Sequence, residues 1–327
     1  MAKEVRLALV GDVTDVPSPL LHASATEAAR FEAVCDPSGS QIEKAARICG
    51  ARWPFDDLEQ MLREAEPDAV IIAAPPDQRT QWAKTCLRRR TAVLMLGAPG
   101  STPAACRTLS RLARQVNRQV MVGVPQRFSP AGVRAQRLLA SGRLGPVVAA
   151  DVVVTWARRL DRDPSGASAL PFDLVFEAAD RLQGLDVVPE RVWAVERPNG
   201  HLAAIARTAD GAVASLGLHH AGPPESAGSR LEARSDEGGL LIIDDDVNLI
   251  CTVGSQLVAR HRPRLGVGAD PRVECGYAGM LGAFVTAVRD RQGVPFGLPS
   301  ATGSVALAAA MLRSARTGRR IDVTRPS

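Results

Sequence analysis

The chain has 327 residues, is 46% hydrophobic and 23% charged, and carries a formal charge of +5 at pH 7. Those proportions, with a mean hydropathy of −0.02, exclude a disordered or collagen-like chain, and no apolar run reaches the ~18–20 residues of a membrane span. The basic excess is spread along the chain, and its densest cluster, Arg88-Arg89-Arg90, ends a helical segment where cations suit the helix dipole, so nucleic acid is not an expected partner.

In chain order, Val5–Gly11 reads as a strand, Pro19–Ala29 as a helix, Phe31–Asp36 as a strand and Gly39–Cys49 as a helix. A short helix at Asp57–Glu64 precedes a strand at Ala69–Ala74. The helix Arg79–Arg89 then leads to the strand Ala92–Leu96, and the helix Thr102–Asn117 to the strand Gln119–Val124. Apolar runs separated by helices of this length predict βαβ units and a parallel sheet. Ligands on such sheets bind beyond the carboxyl ends of the strands, after Val10, Val34, Ile72, Leu96 and Val122.

After Pro130 the pattern changes. A helix at Gly132–Ser141 is followed by strands at Val147–Trp156, Arg191–Val195, Leu202–Thr208, Ala212–His219, Arg230–Ser235, Leu240–Ile243 and Asn248–Val253. Turns such as Asp210-Gly211 and Glu237-Gly238-Gly239 are hairpin-like and predict a mostly antiparallel sheet. Three helices, Asp173–Leu182, Gly279–Arg291 and Ala301–Ser314, are expected to cover one face of it. A second subunit is expected on the other, giving a homodimer or larger homo-oligomer. The fold class is therefore α/β, a parallel-sheet domain over 1–124 followed by an α+β domain with an open sheet over 125–327.

The reactive side chains are few. Only Lys3, Lys44 and Lys84 are lysines among 40 basic residues, so amines with an adjustable pKa are scarce. The six cysteines lie far apart, with no CxxC pair and no histidine at ligand spacing, which predicts reduced thiols and no metal site. The N-terminus runs straight into an apolar strand, making the cytoplasm the expected compartment. Asp173, Glu177 and Asp180 fall at i, i+4 and i+7, on one helix face, where neighbouring like charges raise a carboxyl pKa. Glu177 is thus an acid/base candidate, against the plainer reading of an exposed acidic face. His219-His220 ends a strand, alternation pointing one ring to each face, and Arg158, Arg159 and Arg162 offer a loop for an anionic group or simply solvated charge.

Four stretches in order, Asp68-Ala-Val-Ile-Ile-Ala-Ala-Pro75, Met121-Val-Gly-Val-Pro-Gln-Arg-Phe-Ser-Pro130, Ser141-Gly-Arg-Leu-Gly-Pro-Val147 and Ser314-Ala-Arg-Thr-Gly-Arg-Arg-Ile-Asp-Val323, resemble the Gfo/Idh/MocA family of glucose–fructose oxidoreductase and inositol dehydrogenase. The resemblance implies a Rossmann domain, NAD(P)-dependent chemistry on sugars or similar polyols, and a cofactor held by Gly11, Asp36, Ala74, Pro75, Gly97, Pro99 and Arg127. The functional positions depart from that pattern. The phosphate loop keeps only Gly11 of its glycines and brings Asp12 and Asp15 where an anion should lie, so NAD or NADP is expected to bind weakly or not at all. Asp36 favours NAD over NADP as a ribose ligand, and it is equally a common turn residue.

The family's Glu-Lys-Pro corresponds to Gly97-Ala98-Pro99, without the lysine. In Asp173-Leu-Val-Phe-Glu-Ala-Ala-Asp180 the family's general-base histidine becomes Glu177, and a further family histidine becomes Arg79. Ala98 is then expected to be a passive pocket wall, with Glu177, Asp173 and Asp180 as the catalytic set and no metal. Three readings follow. The first is an oxidoreductase on a small polar, sugar-like or secondary-metabolite substrate with reassigned acid/base residues. The second is a non-redox enzyme of elimination, hydrolysis or cyclisation, and the third a non-catalytic binding protein. Absorbance between about 320 and 360 nm, with and without NADH, separates the first from the others.

Overall fold

The computed structural model describes residues 4–11, 20, 28–39, 42–157, 170–197, 200–221, 227–263 and 275–323. By its contacts the chain divides into two units, 1–125 with 276–302, and 126–275 with 303–327.

The first unit is a parallel six-stranded sheet. Its strands are β1 (Val5–Gly11), β2 (Ala29–Cys35), β3 (Trp53–Phe55), β4 (Ala69–Ala73), β5 (Ala92–Leu96) and β6 (Val120–Gly123), in spatial order 3-2-1-4-5-6. The order reverses between β1 and β4, which makes that crevice the topological switch point. Leu7, Leu9, Ile71, Ile72, Leu94 and Met95 are fully buried, as a sheet covered on both faces requires. Between the strands run α1 (Ile42–Cys49), α2 (Leu58–Glu64), α3 (Pro76–Arg88) and α4 (Pro103–Val116).

Helix ends are legible wherever a cap is. The Asp57 side chain accepts from the Gln60 amide at 2.6 Å, and Thr102 and Asn117 cap α4, Asn117 in the left-handed region at φ 52°. Helix α3 opens three residues earlier than the predicted Arg79 because Pro76 occupies its first turn, where a missing N–H costs nothing. Strand β3, absent from the sequence reading, is a three-residue edge strand interrupted by Pro54. The helix expected over Pro19–Ala29 falls mostly outside the described residues, and its last residue, Ala29, opens β2.

The second unit starts with a 3₁₀ turn at Pro125–Phe128, whose first residue belongs to the first unit, and with α5 (Pro130–Ala140), capped by Ser129. Among the described residues its sheet has nine strands: β7 (Val147–Ala157), β8 (Pro189–Arg197), β9 (His201–Thr208), β10 (Val213–Ala221), β11 (Gly228–Ser235), β12 (Gly239–Asp244), β13 (Asn248–Val253), β14 (Gln256–His261) and β15 (Ile321–Asp322). Only β7 and β10 pair in parallel; every other neighbour is antiparallel. Helix α6 (Phe172–Gln183) packs on β7 and β10, over the face that buries Val152, Leu216 and Leu218.

One expectation fails here. Helix α7 (Tyr277–Arg289) does not cover the second sheet; it belongs to the first unit, where Phe284 is fully buried and the helix contacts β1. The chain returns because β6 would otherwise leave donors unpaired: Val122 N–H donates to Phe296 O at 3.0 Å and the Gln119 side chain to Ala287 O at 3.3 Å. Helix α8 (Leu298–Thr317) then runs from the first unit into the second.

Candidate functional site

The cofactor candidates of the first unit gather at the carboxyl ends of its strands. Gly11 closes β1 at φ +122°, and a Cβ there would lie 1.7 Å from Ala73 O, so glycine is demanded by the approach of β1 to β4. Asp36, only 3% exposed, follows β2 directly. Its Oδ1 accepts from the Ser38 amide at 2.9 Å and the Ser38 hydroxyl at 2.7 Å, the turn-forming role foreseen as its alternative. Ala74 is half-buried and Pro75 exposed after β4, and Gly97 is half-buried at φ +95° after β5. Pro99 is buried, its carbonyl accepting from Thr80 Oγ1 at 2.9 Å. Asp12 and Asp15 lie outside the described residues, as do Arg158, Arg159 and Arg162.

Ala98 corrects an expectation. It is fully buried rather than a pocket wall, and its carbonyl accepts a hydrogen bond from Arg79, itself 3% exposed. The guanidinium of α3 thus fastens the loop that in the resemblance carries a lysine.

In the second unit α6 carries the three carboxylates, which the structure puts to different uses. Asp180 is completely buried. Arg127 grips it with both sides of its fork, Nε to Oδ2 at 2.8 Å and Nη2 to Oδ1 at 2.9 Å. Gln126 Nε2 adds a donor at 3.4 Å. The Ser304 hydroxyl lies 3.1 Å from Asp180 Oδ1 and 2.9 Å from Gln183 Oε1, with one proton to share between them. Arg127, expected at a cofactor, therefore gives its guanidinium to this anchor, which ties the 3₁₀ turn and α8 to α6.

Glu177, one turn back, keeps 37% of its side chain exposed, with Arg181 Nη1 3.8 Å from its Oε2. Its carboxyl is pushed up to about 7, chiefly by burial; Arg181 pulls it down, and Asp173, Asp246 and Asp180 push it up further. The direction matches expectation and the leading cause does not. Desolvation raises a carboxyl pKa because it disfavours the charged form. Asp173 is half-buried in the first turn of α6.

Arg181 and Asp246 were not anticipated. Arg181 Nη2 donates to Asp246 Oδ2 at 2.7 Å, and although burial works against the charge, Asp246 and Glu177 hold the guanidinium above its ordinary value. Asp245 and Asp246 both adopt positive φ, 53° and 60°, in the turn between β12 and β13. That turn was legible from its acidic run, its partner on α6 was not. The carboxyl beside this pair takes up or releases a proton near neutrality, which suits general acid–base work.

The histidines divide as alternation predicts. His219 lies exposed on the outer face of the second sheet, its ring 6.0 Å from that of His201, while His220 meets Trp156 edge-on at 5.1 Å. All six cysteines are free thiols. Burial pushes Cys35 and Cys49 up to about 12 and Cys106 to about 11, which removes the thiolate that reactivity needs. Among the described residues no group of three or more metal-ligating side chains is found, and no helix is long and apolar enough to cross a membrane.

Residues 10–124 match the model of an oxidoreductase family with an NAD-binding Rossmann fold, GFO_IDH_MocA. The dehydrogenase aclE of Aspergillus oryzae is 27% identical over 166 residues, 47% of this chain and 45% of its own. Inositol 2-dehydrogenase 2 of Saccharopolyspora erythraea is 33% identical over 124 residues, 37% of this chain and 36% of its own. The matched stretches thus span less than half of these relatives. The solved structure of an oxidoreductase from Agrobacterium radiobacter, in complex with NAD+, L-tartaric acid and magnesium, superposes with a TM-score of 0.84 over 98% of this chain and 99% of its own, at 14% identity, which shows a common fold. Over residues 10–124, within its first unit, the chain is similar to the Gfo/Idh/MocA oxidoreductase family.

Proposed function

We propose that the chain is an oxidoreductase acting on a small, polar, hydroxyl-bearing substrate of the sugar or inositol kind, with Glu177 moving the substrate proton. The observation that carries this is Glu177, whose carboxyl is pushed up to about 7 beside Arg181 while its side chain stays 37% exposed on α6. As base it accepts the proton of the substrate hydroxyl. Arg181 stabilises the ionised form that begins the step, and Asp246 holds Arg181 in place. Asp173 orients the substrate from the first turn of α6, and Asp180, locked to Arg127, fixes the helix that presents Glu177.

A nicotinamide dinucleotide supplies the hydride acceptor for such a reaction. The small, half-buried Ala74 and Gly97 at the strand ends and the Asp36 carboxylate after β2 fit it, and Gly11, Pro75 and Pro99 complete the proposed cofactor set of the first unit. Asp36 already serves Ser38, so its grip on a ribose is expected to be weak, and its charge disfavours a 2′-phosphate. Calorimetry is expected to give dissociation constants well above ~1 μM with NAD preferred. Submicromolar binding of NADP would contradict the assignment of Asp36.

The redox-inactive reading has its own support in Ala98, which carries no amine and whose carbonyl is bound by Arg79. It predicts turnover of substrate with no change in nicotinamide absorbance, or no turnover at all.

We also propose a homodimer or larger homo-oligomer built on the outer face of the second sheet. Trp193, Ile205 and Val213 are 45%, 61% and 49% exposed on adjacent strands of that face, with Val153 and Val195 beside them, an apolar area seldom left to water. Light scattering at micromolar concentration should give at least twice 34.6 kDa. A monomer mass would sink the proposal.

A further inference from the structure

At the amino ends of the first sheet, opposite the edge where the cofactor is proposed, the structure holds a recess of about 730 Å³. Its floor is Val5, Leu62 and Ala92, and six arginines line it: Arg63, Arg89, Arg90, Arg118, Arg289 and Arg291. Three acids, Glu4, Glu66 and Asp68, share the lining, which leaves a cationic surplus. Helices α2, α3, α4 and α7 all end here, so part of that charge answers the carbonyl ends of four helix dipoles.

The arginines are not equivalent. Arg63 and Arg89 share Glu59 at 4.0 and 3.8 Å, and Arg289 is paired with Asp290. Arg118 is spent on backbone, donating to Arg90 O and Asn117 O. Arg90 and Arg291 have no ion pair among the described residues. Both lie just past a helix end at positive φ, 57° and 54°, where glycine is the ordinary residue and a side chain costs about 1 kcal/mol. Four non-glycine residues around this recess hold left-handed positions past helix ends, Glu66 at φ 42° and Asn117 at φ 52° being the others, and Arg90 and Arg291 are the two cations among them. Dipole neutralisation does not require them, since Arg63, Arg89 and Arg289 already stand at helix ends.

We propose that this recess binds a small molecule bearing several phosphate charges, with Arg90 and Arg291 as its principal ligands. Guanidinium forks match phosphate oxygens two at a time, and the volume is that of a ligand well beyond a single phosphate ion. The site is independent of the oxidoreductase reading, because its residues lie at the opposite ends of the strands.

The test is calorimetry of the full chain with sodium tripolyphosphate. The wild type is expected to saturate below about 1 mM at low salt, and Arg90→Gly/Arg291→Gly to bind about 100-fold more weakly, tenfold for each guanidinium lost. Because glycine relieves both left-handed positions, the same variant is expected to melt at or above the wild-type temperature, which separates lost binding from lost fold. Arg107→Gln/Arg111→Gln removes the same charge from α4 outside the recess and should bind within about twofold of wild type. Failure of the wild type to saturate, undiminished binding by the glycine variant, or an equal loss in the α4 control would each overturn the site.

Discussion

Glu177→Gln is expected to lower kcat by about 10²–10⁴-fold on the true substrate, the range typical of a lost general acid–base group. The exchange keeps the size of the side chain and its place beside Arg181 and removes only the titratable proton. The pH profile provides a second readout. With the carboxyl pushed up to about 7 and the ionised form acting as base, activity should rise with pH through that value and level off above it. In the variant the rise should vanish. Stability carries the opposite sign. The folded-state value lies above the ordinary 4.5, so between the two the folded protein binds a proton that the unfolded chain has released. The contribution is intact below about pH 4.5 and is lost as pH rises through about 7. Glu177→Gln should therefore flatten the pH dependence of unfolding over that interval. Full activity in the variant would reduce Glu177 to a surface carboxylate and send the search to His219, His220 and Arg79.

Arg127→Ala is expected to be the most damaging single substitution for stability, costing about 3–5 kcal/mol in urea or thermal unfolding. Asp180 has no exposed surface, and losing Arg127 would leave its carboxylate, among the described residues, with Gln126 and the shared Ser304 proton. The 18% exposure of Arg127 admits some water to the vacated space, which favours the lower end of that range. Arg127→Lys should recover only part of the loss, since an ammonium cannot reproduce the two-pronged contact. Wild-type stability in Arg127→Ala would show that α6 is held by its apolar face alone, through Val175, Phe176, Ala178 and Leu182.

Taken alone, the amino-acid sequence determined the elements and their class. Short apolar runs such as Val70–Ile72 between helical segments read as strands buried on both faces, and the alternation of Leu202, Ala204 and Ala206 as a sheet covered on one. Thr102 and Asn117 announced both ends of α4 because capping is a local interaction that needs no distant partner. The spacing of Asp173, Glu177 and Asp180 placed them on one helix, again a property of neighbours in the chain.

What those carboxylates do was decided elsewhere. Asp180 is an anchor and Glu177 a titrating group because Arg127 and Ser304 reach the first while Arg181, fixed by Asp246 across 65 residues of chain, stands beside the second. The return of α7 to the first unit, the bond from Arg79 to Ala98, and the gathering of four helix ends around Arg90 and Arg291 have the same origin. Periodicity records which side of an element is apolar. Which charged groups meet depends on contacts between elements far apart in sequence, and on the desolvation those contacts impose, so it appears only in the folded chain.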